Sequence, residues 1–157
     1  MLTSNYIINV GVVAWFSAQL LKTIFTLITT RELRLERMVG AGGMPSSHSA
    51  LTSSIVVAMQ QIEGAASPLF GLSLAFAAVV MYDAMGVRRA SGEQAKVINR
   101  IVFDFPWQHN KGEKFDISSA LPFGKELKES LGHTPFEVLG GCLLGILVAL
   151  FVPGPTA

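Results

Sequence analysis

A chain of 157 residues has the length of one domain. Half of its residues are hydrophobic and only 15% are charged, against about 25% in an average soluble domain, so a disordered or collagen-like chain is excluded and an ordinary soluble one disfavoured. The net charge of +1 conceals a segregation: whole stretches lack Lys and Arg, and others are crowded with them.

In chain order, residues 7–29 form the first predicted span, with Lys22 its one charge and long enough for the roughly 20 residues that cross a bilayer. No basic residue precedes it and no small-x-small site follows it, so it reads as a retained helix rather than a cleaved signal peptide. Lys22 lies about 10 Å of helix from the basic end. It either snorkels to that end or is a paired, functional charge. Residues 47–61 are shorter and less apolar; by pattern alone they fit a span, a buried helix or a re-entrant one. Residues 68–86 and 136–152 are the third and fourth spans. Together they predict an all-α, single-domain, polytopic membrane bundle of about four spans with one or two interfacial helices.

Sorting the basic residues orients the bundle. Of the twelve, Lys22 is inside the first span, Arg31, Arg34 and Arg37 follow it, and eight lie between Arg88 and Lys128. If four helices alternate, every basic loop residue falls on one side, which places both termini outside and both basic loops in the cytoplasm. The long loop 87–134 is expected to hold an amphipathic helix with Ile98, Ile101, Val102 and Phe105 on its apolar face, and a short further helix over 121–131. His109 reads as a solvated loop residue and Cys142 as a small core residue. Gly141-x3-Gly145 packs helices either within the chain or between chains of a homo-oligomer.

Polar residues gather where helices begin. In Gly-Ala-Gly-Gly-Met-Pro-Ser-Ser-His, residues 40–48, glycines and a proline precede a helix expected to start near Ser46, with Ser46 and Ser47 at its mouth and His48 in its first turn. Such a start offers unpaired N–H groups to an anion. Before the fourth span, Thr134, Pro135 and Glu137 match a capping box, which gives Glu137 a structural role. His133, four residues ahead of Glu137, has no part in such a box; the carboxylate also suits the task of holding the imidazole in one tautomer. At the end of the third span, Asp83, Arg88 and Arg89 combine an acid with two guanidinium groups suited to phosphate, or to lipid head groups. Alternation of the helices brings His48, Arg88, Arg89 and His133 to the same side, a plausible phosphoryl-transfer site.

Pro45-Ser46-Ser47-His48 resembles the Pro-Ser-Gly-His motif of the type 2 phosphatidic acid phosphatase superfamily, which also contains the vanadium-dependent haloperoxidases. Together with Asp83–Ala95 and Leu131–Gly141, the chain is similar over residues 5–150 to the small divergent membrane branch of that superfamily. The resemblance implies that His133 is the nucleophile toward phosphorus, Glu137 its orienting carboxylate and His48 the acid that protonates the leaving oxygen. Ser47 stands where the superfamily has glycine, Glu137 where it has aspartate, and Glu126-Leu127 where it has Ser-Arg, with Lys128 the nearest base. The first superfamily motif is missing, since Lys22 is followed by Arg31 at another interval; Arg88 and Arg89 are the candidate replacements for the phosphate clamp.

The expected function is therefore hydrolysis of a phosphomonoester or diphosphate on a lipid-like substrate, with no metal and no cofactor, through a phosphohistidine. The alternative is a non-catalytic protein that binds an anionic membrane lipid or phosphate in the same pocket. Vanadate-dependent oxidation fits less well, because the basic cradle is depleted and the site would face a reducing cytoplasm. No inverted repeat suggests a transporter, and no aromatic platform interleaves with the basic residues to suggest nucleic acid.

Overall fold

The computed structural model describes residues 4–31, 43–104, 126–129 and 131–154. Every regular element among them is helical: α1 (Tyr6–Thr30), α2 (Ser47–Glu63), α3 (Pro68–Met85), α4 (Val87–Asn99) and α5 (Pro135–Phe151), with a π-helical turn, Arg100–Asp104, continuing α4. The helix starts follow from side-chain capping. Ser46, Ser67 and Thr134 each accept a hydrogen bond from a backbone N–H of the first turn they precede. Proline follows the cap of α3 and of α5, where its missing N–H costs nothing.

α2 is the central helix, packed against α1, α3 and α5. Its position explains why it is the least apolar of the four hydrophobic segments. Ser47, Ser49, Thr52, Ser53 and Ser54 are all buried, and their small side chains let neighbouring helices approach. Three of the hydroxyls donate back along the helix: Thr52 to the His48 carbonyl at 3.0 Å, Ser53 to Ser49 at 2.7 Å and Ser54 to Leu51 at 2.8 Å. The Ser49 hydroxyl donates to that of Ser46 at 3.0 Å, so these four hydroxyls are paired within the bundle.

The apolar residues are arranged inside out. The buried core consists largely of alanine (Ala14, Ala18, Ala50, Ala58, Ala77, Ala84 and Ala149) with Tyr6, Val10 and Val138. Large side chains face outward on three helices: Phe16, Phe25 and Ile28 on α1, Leu72, Phe76 and Val79 on α3, Leu143, Leu147 and Leu150 on α5. A monomeric soluble protein rarely leaves so much contiguous apolar surface uncovered. α1 and the helical run Pro68–Val102 are long and apolar enough to cross a membrane. α5 is apolar but shorter, at 17 residues, and α2, of the same length, is the less apolar helix at the centre.

The Gly141-x3-Gly145 stripe faces α2 of the same chain. A Cβ at Gly141 would overlap the Ser46 carbonyl, and one at Gly145 the Ala50 carbonyl and the Ser53 hydroxyl. Of the two expected uses of this stripe, packing within the chain is the one realised.

The amphipathic helix expected after the third span is α4, with Val97, Ile98 and Ile101 exposed on it and on the π turn. The helix expected over 121–131 needs correction: residues 126–129 are not helical. The buried Asn99 captures the backbone there, donating from Nδ2 to the Leu127 carbonyl and accepting from the Leu127 N–H, both at 2.9 Å, and donating to Glu129 Oε1 at 2.9 Å. A Leu127 backbone bonded on both sides to a side chain cannot also complete a helical turn. Asn99→Ala is expected to cost about 1–3 kcal/mol, because the Leu127 amide loses both partners, with amide hydrogen exchange at residue 127 accelerating more than in α2. Phe105, His109, Arg34, Arg37 and residues 121–125 lie outside the described residues.

Candidate active site

His133 is placed by two neighbouring helices before its own side chain does anything. Its N–H donates to the Ala84 carbonyl at the end of α3, at 2.9 Å. Gly132, at φ +80, lies so close to the Arg89 backbone that a Cβ there would overlap it. Only glycine combines that conformation with that approach. The first turn of α5 is tied in turn to the start of α2, where the Ser46 N–H donates to the Glu137 carbonyl at 2.9 Å. His48, in the first turn of α2, is thereby brought to His133: their ring centroids are 6.3 Å apart with the planes inclined by 62°.

Glu137 makes both contacts expected from its spacing. Its Oε2 accepts the Thr134 N–H at 3.2 Å, completing the capping box in which the Glu137 N–H donates to Thr134 Oγ1 at 3.3 Å. The same oxygen lies 3.0 Å from His133 Nδ1. A carboxylate only accepts, so the proton sits on Nδ1 and the lone pair on Nε2. His133 is 3% exposed, and its Nε2 is buried with no hydrogen-bond partner. An orphaned buried nitrogen costs about 1–3 kcal/mol, and native folds seldom keep one without a use.

Burial pushes the His133 imidazole below its ordinary pKa. The Glu137 hydrogen bond and charge oppose this, while Lys22 and Arg88 reinforce it. The imidazole is therefore neutral near pH 7, as a nucleophile requires.

The predicted phosphate-binding residues separate into groups. Lys22 is 1% exposed, so it does not snorkel; its charge and that of Arg88 act on both histidines. The Arg88 Nε donates to Asp83 Oδ2, so Asp83 is paired and not an isolated charge in its helix. Arg89 diverges from Arg88. It lines a cavity of about 240 Å³ whose walls include Glu93, Lys96, Glu129, Thr134, His133 and Glu137. Ser46 is the N-cap of α2, its hydroxyl accepting from the Ser49 N–H at 3.3 Å and the Ser49 hydroxyl at 3.0 Å. Ser47 is buried at the first position of α2. Lys128 stands exposed on the segment held by Asn99 and is not among the charges acting on His48 or His133. The Ala84 carbonyl and Gly132 were not foreseeable as positioning elements, because both act through contacts remote in sequence. Gln19, three residues before Lys22 on α1, is buried, and an amide inside an apolar span is itself a sequence signal of a polar site.

The model for the family described as Divergent PAP2 matches residues 3–148. A protein of Bacillus subtilis (strain 168) titled "Uncharacterized membrane protein YuiD" is 40% identical over 149 residues, covering 95% of this chain and 94% of that protein. No solved structure matches.

Proposed function

The chain belongs to the divergent PAP2 family, and from that premise we propose that it is a membrane phosphatase that hydrolyses a lipid-like phosphomonoester or diphosphate through a phosphohistidine on His133. The observation that carries the reading is the buried, unpartnered His133 Nε2, with its Nδ1 held by Glu137 and the His48 ring beside it. The Nε2 lone pair attacks phosphorus as the bond to the leaving oxygen breaks, and protonated His48 donates its proton to that oxygen. Neutral His48 then takes a proton from a water that attacks the phosphohistidine; the N–P bond breaks, phosphate leaves and Nε2 regains its lone pair. Lys22 and Arg88 offset the charge on the phosphoryl oxygens, and Glu137 stabilises the phosphorylated imidazole through Nδ1–H.

The same proposal takes α1, α2, α3 and α5 as four spans with both termini outside. The site then lies at the cytoplasmic ends of the helices, where a lipid head group enters sideways from the surface covered by outward-facing Leu, Phe and Val. A second reading, an anionic-lipid binder without turnover, is favoured by one feature: Glu126 and Leu127 occupy the places of the superfamily's Ser-Arg, on an exposed segment. Phosphate release from lipid phosphates by the purified protein, with labelled phosphate trapped on His133, supports the phosphatase. Saturable binding with neither release nor label selects the binder.

Acid is expected to inactivate the enzyme along a limb that reports protonation of His133. Nε2 is nucleophilic only when neutral, so the rate falls as pH drops through the His133 pKa, which burial holds below its ordinary value of 6.5. Because Glu137 raises that pKa, Glu137→Gln is expected to move the limb to lower pH while lowering the plateau rate roughly 10²–10⁴-fold through loss of tautomer control. A pH–rate profile of both proteins checks the direction.

A further inference from the structure

Two buried side-chain polar atoms among the described residues lack a hydrogen-bond partner: His133 Nε2 and Gln19 Oε1. The first belongs to the site already described. The second is on α1, in a residue 4% exposed, three positions before Lys22. Residues three apart share a helix face with Cβ atoms about 5–6 Å apart. Gln19 is also about 4.5 Å deeper along the helix than Lys22. The Lys22 stem runs beside Gly43, where a Cβ would stand 3.5 Å from Lys22 Cγ, and Gly43 shares a cavity wall with His133. Lys22 thus connects the two orphaned atoms: it shares a helix face with Gln19, and its charge acts on the imidazole of His133.

A buried amide oxygen without a donor is expensive in a membrane interior, and an ordered water is the usual remedy where the surroundings are polar. An ammonium carries three donors and no acceptor. A water between the two side chains accepts from Lys22 Nζ and donates to Gln19 Oε1, satisfying the amide and fixing one direction of the ammonium. We propose, resting on the phosphate-site reading above, that Gln19 is a positioning residue of that site: through a shared water it aims the Lys22 ammonium at the anion held between His48 and His133. It touches neither the anion nor the reacting atoms.

The experiment is a double-mutant cycle on the affinity of the purified full-length protein for inorganic phosphate, measured in detergent micelles. Gln19→Met keeps an unbranched side chain of similar volume and removes the acceptor. In the wild-type background it is expected to weaken phosphate binding by roughly 5–20-fold, within the coupling seen for residues that share a network. In a Lys22→Met background the same change is expected to alter affinity by less than twofold. Thermal unfolding of Gln19→Met should stay close to that of the wild type, since side-chain volume is kept and only a water-mediated hydrogen bond is lost. An equal loss in both backgrounds, or none in either, overturns the role of Gln19 and leaves the phosphate site standing. Absence of phosphate binding by the wild type overturns the site reading, and this proposal with it.

Discussion

His133→Ala is expected to abolish phosphate release from a lipid phosphate, lowering the rate by at least about 10³-fold, because it removes the atom to which phosphorus would be transferred. The substitution also deletes the imidazole that Glu137 holds at 3.0 Å, so a structural control is needed. The Thr134–Glu137 capping box does not depend on the ring, and the His133 N–H bond to Ala84 is made by the backbone. The variant should therefore fold, with helix content unchanged by circular dichroism. His48→Ala is expected to slow release by roughly 10²–10⁴-fold, the range of a general acid, and to spare labelling of His133 when the leaving group needs no proton. An aryl phosphate with an acidic phenol provides that case. Equal rates for the wild type and both alanine variants would remove the phosphohistidine mechanism altogether.

The second large effect is on the fold. Gly145→Val is expected to destabilise the bundle by about 3 kcal/mol or more, at or beyond the upper end of ordinary overpacking. One obstacle to the new Cβ is the Ala50 carbonyl, part of the α2 backbone, which cannot turn aside as a side chain can. Separation of α5 from α2 would also pull the Glu137 carbonyl off the Ser46 N–H, so binding at the site should fall in the same variant. Gly71→Val is the control: nothing lies within 4 Å of a Cβ there, and its effect should stay within about 0.5 kcal/mol. Unfolding in a denaturing detergent titration measures both. If Gly145 instead joined two chains, its substitution would dissociate an oligomer and leave each protomer folded, an outcome that size analysis in micelles would reveal.

Much of the site was legible because its key relations are local. A histidine one residue before a capping box and a carboxylate four residues after it meet on one helical turn wherever the helix is placed. The same holds for Ser46 before α2, and for Asp83 and Arg88 around the end of α3. Segment lengths and apolarity marked α1, α3 and α5, and the family resemblance was carried by short blocks around His48, Asp83 and His133.

The sequence by itself determined which residues begin helices, which segments are apolar, and that His133 and Glu137 are partners, since spacing along one chain decides those contacts. Only the tertiary structure decided that Lys22 is buried where its charge acts on both histidines and not snorkelled, that Arg88 pairs with Asp83 while Arg89 lines the cavity with His133, that 126–129 are drawn out of a helix by Asn99, and that Gly141 and Gly145 face α2. Each of these depends on how a helix is rotated about its axis against its neighbours. That rotation is set by the fit of small residues such as Ala14, Ala18, Ala50 and Gly145 across helix interfaces. In a bundle whose bulky residues point outward, hydrophobic patterning along one helix carries little information about it.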